Sequence, residues 1–212
     1  ETGRRIITKY NCRGCHSVED KGGDIQKYLK AKAQYPPPLD MGEYHVGERI
    51  KSSWLFSFLK QPTPVRTWIK VRMPTFFFTD KEVRDLTAYF EALSSASEYE
   101  AGVHQAKDSS VAQKGAEMAT YMDCGRCHDD GQKGIEFSLA SQRLREDWIP
   151  KWLKNTRAMI PWTPMPSHWV KAGEDYKVPT KYSEINAIGD VDKQVGTLKD
   201  LIVAYNTADL DF

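Results

Sequence analysis

Cys12-Arg13-Gly14-Cys15-His16 and Cys124-Gly125-Arg126-Cys127-His128 are the stretches best equipped for chemistry. Each places two thiols three positions apart and an imidazole directly after the second. Cysteines about one turn apart can form thioethers with the two vinyl groups of one porphyrin, and the next histidine then lies against the iron. The two copies use all four cysteines of the chain. A zinc site would draw two nearby pairs into one tetrahedron, yet these pairs stand 112 residues apart and each carries its own histidine. A thioredoxin-type pair needs no histidine, and a disulfide framework would not need the same one twice. The spacing predicts two covalently attached haem c groups, with Cys12, Cys15, Cys124 and Cys127 as thioether residues and His16 and His128 as proximal ligands.

The elements that must position these motifs repeat with them. Gly3 precedes Cys12 by nine residues, as Gly115 precedes Cys124. Asp80-Lys81-x-Val83-x-x-Leu86 recurs 112 residues later as Asp192-Lys193-x-Val195-x-x-Leu198. Between these landmarks, Arg49-Ile50-x-x-x-Trp54-Leu55-x-x-Phe58-Leu59-Lys60 matches Arg143-Leu144-x-x-x-Trp148-Ile149-x-x-Trp152-Leu153-Lys154 at a different offset. The halves therefore share a plan and differ in loop length.

Helical spacing of Ile6, Ile7 and Tyr10 predicts a helix over residues 2–11. Residues 17–48 read mostly as loop, with Pro36-Pro37-Pro38 extended. Ser52 or Ser53 is positioned to cap a short helix that runs to Lys60 and stops before Pro62. Thr79 and Glu82 form a capping box for the last helix of the first half. In the second half, helices are expected over 111–123, 147–155 and 192–205. No stretch shows sustained strand alternation. Residues 95–110 are small and polar, which divides the chain into domains 1–96 and 111–212 joined by linker 97–110.

Composition sets limits. Each half is small for a core of its own, and a bound porphyrin would supply an apolar centre to a chain only 40% hydrophobic. The formal charge of +1 argues for neither nucleic acid nor an anionic membrane as partner. No apolar run reaches the 18 residues that a transmembrane helix needs. Covalent haem attachment takes place outside the cytoplasm. A periplasmic or other extracytoplasmic location is expected, with a targeting segment preceding Glu1.

Helix, C-x-x-C-H, long loop, short helix, Met-Pro loop and final helix resemble, twice over, the class I cytochrome c fold. The pair resembles the two-domain dihaem cytochromes c of the bacterial periplasm. The resemblance implies an all-α chain of two tandem domains in which a glycine of the first helix meets an aromatic of the last: Gly3 with Tyr89 or Phe90, and Gly115 with Tyr205. It implies Met73, in Val71-Arg72-Met73-Pro74, and Met165, in Pro164-Met165-Pro166, as the sixth ligands. A thioether is a soft donor that raises the reduction potential, and proline stiffens the loop that presents it. Met41 rivals Met73, and Met159 and His168 rival Met165. Pro38 matches the region whose proline carbonyl bonds the proximal histidine; the second half has no proline there. Trp54, Trp148, Arg49 and Arg143 are expected at the propionates, although the two indoles could equally pack on a porphyrin edge. Arg72 could pair with a propionate, and His45 and His104 read as solvated.

The function so implied is that of an electron carrier between redox protein partners, not an enzyme. Two alternatives belong beside it. The chain could be an electron-transfer subunit of a larger membrane-associated redox complex. It could also be a dihaem peroxidase, although that chemistry needs an open iron and each half offers a methionine.

Overall fold

The computed structural model describes residues 1–94, 109–129, 133–173, 175–177 and 188–205. The chain divides into two compact units, Glu1–Ala101 with Trp162–Pro164, and Gly102–Pro161 with Met165–Phe212. Most of the expected linker, and His104, lie outside the described residues.

In the first unit α1 (Thr2–Lys9) packs on α4 (Asp80–Leu93), and α2 (Val46–Arg49) and α3 (Ser52–Lys60) pack on the same helix. Ile6 and Ile7 are buried on one side of α1, and Val83, Leu86 and Phe90 line the matching stripe of α4. Gly3 is buried at the crossing, where a methyl group in its place would overlap the Cβ and ring of Tyr89. The glycine lets two backbones approach where a larger residue would hold them apart. The capping box forms as expected: Thr79 Oγ1 accepts from the Glu82 N–H at 3.2 Å, and the Thr79 N–H donates to Glu82 Oε2 at 3.0 Å. Glu82 also receives Lys9 Nζ at 2.8 Å and Tyr10 Oη at 3.0 Å, which ties the end of α1 to the start of α4.

Two local expectations are corrected. Lys51, not Ser52 or Ser53, stands at the N-cap of α3, with no side-chain cap bond. Ser52 Oγ donates instead to Glu91 of α4. The stretch 17–48 is mostly irregular, as expected, with short elements in it. It holds two two-residue hairpins, β1 (Ser17–Val18) with β2 (Lys21–Gly22) and β3 (Asp40–Met41) with β4 (Tyr44–His45), and 3-10 turns at Asp24–Tyr28 and Lys32–Gln34. Such strands are too short to show alternation in sequence. His45 pairs with Asp40, which is 8% exposed and whose Oδ2 also accepts the Glu19 N–H at 3.0 Å. A histidine read as solvated is thus part of the hairpin's own bonding.

In the second unit α5 (Ser109–Tyr121) packs on α9 (Val191–Ala204), with α7 (Phe137–Arg143) and α8 (Trp148–Met159) against α9. α6 (Gly125–His128) carries the second motif from its N-cap Cys124 onward. Met118, Ile149, Leu153, Val195, Leu198 and Leu201 form the core. A methyl group on Gly115 would lie 2.7 Å from Leu201 Cβ, so the expected Gly115–Tyr205 contact is replaced by one a helical turn earlier. Tyr205 packs its ring edge on Phe137 at 5.4 Å instead. α8 departs from helical geometry at Asn155 (φ −127°, ψ 31°). A third hairpin joins β5 (Val170–Ala172) to β6 (Asp175–Lys177). Among the described residues no helix is long and apolar enough to cross a membrane.

One strap recurs in both units. Lys60 Nζ, at the end of α3, pairs with Asp80 Oδ1 at the start of α4 at 2.8 Å. Lys154 of α8 pairs in the same way with Asp192 of α9.

Candidate functional site: two cysteine–histidine centres

The first motif turns through a 3-10 segment, Cys12–Gly14, entered from Asn11 in the left-handed region (φ 51°). The His16 N–H bonds the Cys12 carbonyl at 2.9 Å, which folds the motif onto itself. Arg13, between the cysteines, is tethered outward to Glu19 at 2.7 Å and to the Val18 carbonyl at 3.2 Å. The turn at residues 21–23 closes over it, with the Gly23 N–H donating to the Arg13 carbonyl at 2.7 Å. In the second motif the Cys127 and His128 N–H groups each bond the Cys124 carbonyl at 3.2 Å.

All four cysteines are free thiols of intermediate burial. Burial pushes the Cys12 thiol above its ordinary pKa, and pushes Cys124 up to about 11. Among the described residues no three His, Cys, Asp or Glu side chains gather as an ion bound by protein groups alone would require.

The two proximal histidines have the same local bond. His16 Nδ1 lies 2.7 Å from the Pro37 carbonyl, and His128 Nδ1 lies 2.7 Å from the Ile135 carbonyl. A carbonyl only accepts, so each Nδ1 carries the proton and each Nε2 keeps its lone pair for a metal. The acceptor in the first unit is Pro37, one residue before Pro38, which is itself buried. In the second unit Gly134 is the enabling residue: a methyl group there would sit 2.7 Å from the Cys127 carbonyl and 2.9 Å from His128 Nδ1. Burial lowers the His16 pKa, the Pro37 carbonyl opposes this, and the charges of Arg66 and Arg49 lower it further. The neutral imidazole that iron ligation needs is therefore favoured.

The remaining candidates fall into three groups. Arg49 ends α2 and Arg143 ends α7, and both are buried, at 5% and 4% exposure. Arg49 lies over the Tyr44 ring at 4.9 Å. Trp54 stacks on Phe58 at 4.9 Å, and Trp148 stacks on Trp152 at 5.2 Å, in matching places of α3 and α8. Met73 and Met165 are half-buried in irregular segments after those helices. Of the rivals, Met159 is buried at the end of α8, Met41 sits in the β3–β4 hairpin opposite Tyr44, and His168 packs its ring edge near Trp169 at 6.2 Å.

The structure adds Arg66 and Gln34, which sequence reasoning missed, and gives Arg72 backbone partners. Arg66 is half-buried with its charge felt by His16, and burial pulls its pKa down to about 10. Arg72 directs its guanidinium at backbone instead of outward, to the carbonyls of Arg66 at 3.2 Å, Thr67 at 3.1 Å and Ile69. Gln34, from the long 17–48 stretch, donates to the Trp68 carbonyl at 2.8 Å and accepts the Lys70 N–H at 2.9 Å. These two side chains clamp the segment that leads into Met73. The signal for Gln34 was absent from sequence, because an amide bridging two backbone groups has no spacing rule.

The donor set suits one covalently attached haem per motif: two thiols, an imidazole fixed by its Nδ1 bond, and a methionine-bearing segment downstream. Residues 1–94 match the family model described as cytochrome c. No curated protein and no solved structure matches the chain. That match supports covalently bound haem c, and electron transfer through it, for residues 1–94. It also fits the largely helical first unit seen here.

Proposed function

We propose that the chain is a dihaem c-type cytochrome that carries electrons between redox proteins outside the cytoplasm. The first haem belongs to the cytochrome c domain, and the second to the repeat of that domain in residues 111–212. The observation that carries the reading is the paired geometry at the histidines. Two C-x-x-C-H motifs each present an imidazole whose Nδ1 is fixed at 2.7 Å by a backbone carbonyl. The supporting carbonyls come from unrelated residue types, so the geometry and not the local sequence is what repeats.

The bound group supplies a one-electron Fe(III)/Fe(II) couple. The chain's residues then have separable tasks. Cys12 with Cys15, and Cys124 with Cys127, hold the porphyrin. His16 and His128 would each supply an imidazole to an iron, and Met73 and Met165 a thioether. Arg49, Arg143, Trp54 and Trp148 border the propionate side. Six-coordinate iron leaves no open position for a substrate, so the function is transfer, not turnover. Redox partners dock on such a domain briefly, over a small interface.

Mass spectrometry of the intact protein tests the haem count, with two covalent haems expected. Cys124→Ser with Cys127→Ser should remove one of them and leave the other. A wild-type mass corresponding to a single haem would sink the dihaem reading. Stoichiometric carbon monoxide binding by the reduced protein at neutral pH would show an open iron and overturn the pure carrier.

A further inference from the structure

The methionine of the second unit receives an indole donor, and the residue that matches this donor in the first unit is Phe58. In the second unit the indole N–H of Trp152 donates to the sulfur of Met165 at 3.1 Å. Trp152 is held for this by its stack on Trp148, at 5.2 Å between centroids and 16° between planes. In the first unit the corresponding stack is Trp54 on Phe58, at 4.9 Å and 14°. The aromatic pair is thus the same in position and tilt, but its second member in the first unit is a phenyl ring with no N–H.

We propose that Trp152 is a positioning residue that orients the Met165 sulfur and raises the reduction potential of the second haem, a contribution that Phe58, at the matching place of the first unit, cannot make. The inference rests on Met165 as the axial ligand. A thioether sulfur has two lone pairs, so one can bind iron while the other accepts the indole proton. The positive end of the N–H dipole draws electron density from sulfur. A weaker sulfur donor disfavours Fe(III) more than Fe(II), and the potential rises. The same bond limits rotation of a flexible side chain that has three rotatable bonds. In redox terms, oxidised Fe(III) of the second haem accepts one electron more readily, and that electron comes from a reduced donor protein.

The test is a spectroscopic redox titration of the full holoprotein as wild type, Trp152→Phe and Met165→Ala. Phenylalanine keeps the aromatic stack and removes only the N–H. Trp152→Phe is expected to lower one midpoint, leave the other in place, and shift without abolishing the sulfur-to-iron charge-transfer band. Met165→Ala is expected to remove about half of that band. If Met165→Ala leaves the band at full strength, the ligand assignment falls and the inference with it. If Met165→Ala halves the band but Trp152→Phe moves neither band nor midpoint, the ligand stands and the role of Trp152 is overturned. Should Trp152→Phe fail to retain both haems, deuterium exchange of the Trp152 indole proton in the reduced wild type decides the matter. Slow exchange supports the bond, and exchange as fast as that of an exposed indole refutes it.

Discussion

Gly3 and Tyr89 occupy a crossing so close that any side chain on Gly3 would overlap the Tyr89 Cβ. Neither backbone can yield easily, since α1 and α4 are each pinned by their own hydrogen bonds and by Glu82 between them. Gly3→Ala is therefore expected to destabilise the first unit by about 1–3 kcal/mol, the usual range for overpacking. Thermal unfolding of the holoprotein measures it, and an unchanged midpoint would mean that the helices part without cost.

Gly134→Ala should act on the second centre in the same way, but with a chemical readout. The added methyl meets the Cys127 carbonyl and His128 Nδ1. The Ile135 carbonyl must then retreat from the imidazole. A loss of about 1–3 kcal/mol is expected from the overlap, together with a higher midpoint potential for the second haem as His128 becomes a poorer donor. A variant with both potentials and stability of the wild type would show that the carbonyl bond is unimportant.

Glu82 gives the first unit a specific dependence on acid. Its hydrogen bond with Lys9, followed by that from the Thr79 backbone, lowers its pKa from 4.5 to about 2 in the folded chain. A depressed carboxyl pKa stabilises the fold at every pH above its unfolded value, and the contribution disappears as pH falls from about 4.5 through about 2. Glu82→Gln should thus be less stable than wild type at neutral pH, and the two should converge near the lower limit. Denaturant unfolding across this range is the check. Parallel wild-type and variant profiles would remove Glu82 from the acid limb.

The Gln34 amide and the Arg72 guanidinium hold the segment that carries Met73. Gln34→Ala removes two hydrogen bonds, each worth about 1 kcal/mol. The expected result is a methionine that leaves the iron more easily. The charge-transfer band of the oxidised protein would fade at lower temperature, and carbon monoxide would compete more readily in the reduced one. Arg72→Lys should do the same, since a point charge cannot serve three carbonyls as a planar guanidinium does. If both variants keep the wild-type band through the same temperature range, the clamp does not support the ligand.

Much of this was legible in the residues because the controlling interactions are short in sequence. C-x-x-C-H is a covalent spacing, and Thr79 with Glu82 is a bond over three residues. Gly3 against Tyr89 was within reach through the resemblance. The errors have a common cause in tertiary packing. Ser52 is a good cap by type, but Glu91 lies nearer. Tyr205 is an aromatic in the right helix, but α9 turns Leu201 toward Gly115. Pro38 stands one residue beyond the carbonyl that faces His16. Ile135 could not be singled out at all, since every residue has a carbonyl and only the chain path decides which one reaches an imidazole.

The lysine–aspartate strap has a consequence for how this architecture can change. In the first unit it closes a loop between residues 20 positions apart, and in the second between residues 38 apart. Both loops start on the helix that precedes the methionine-bearing segment and finish in the first turn of the last helix, so the strap fixes the exit and the re-entry of the chain. Nearly doubling such a loop costs only about 0.6 kcal/mol of closure entropy. Outside the stretch that presents the methionine, the segment spanned by each strap is thus a tolerant insertion site, where a unit can acquire new surface while its helical frame stays in register.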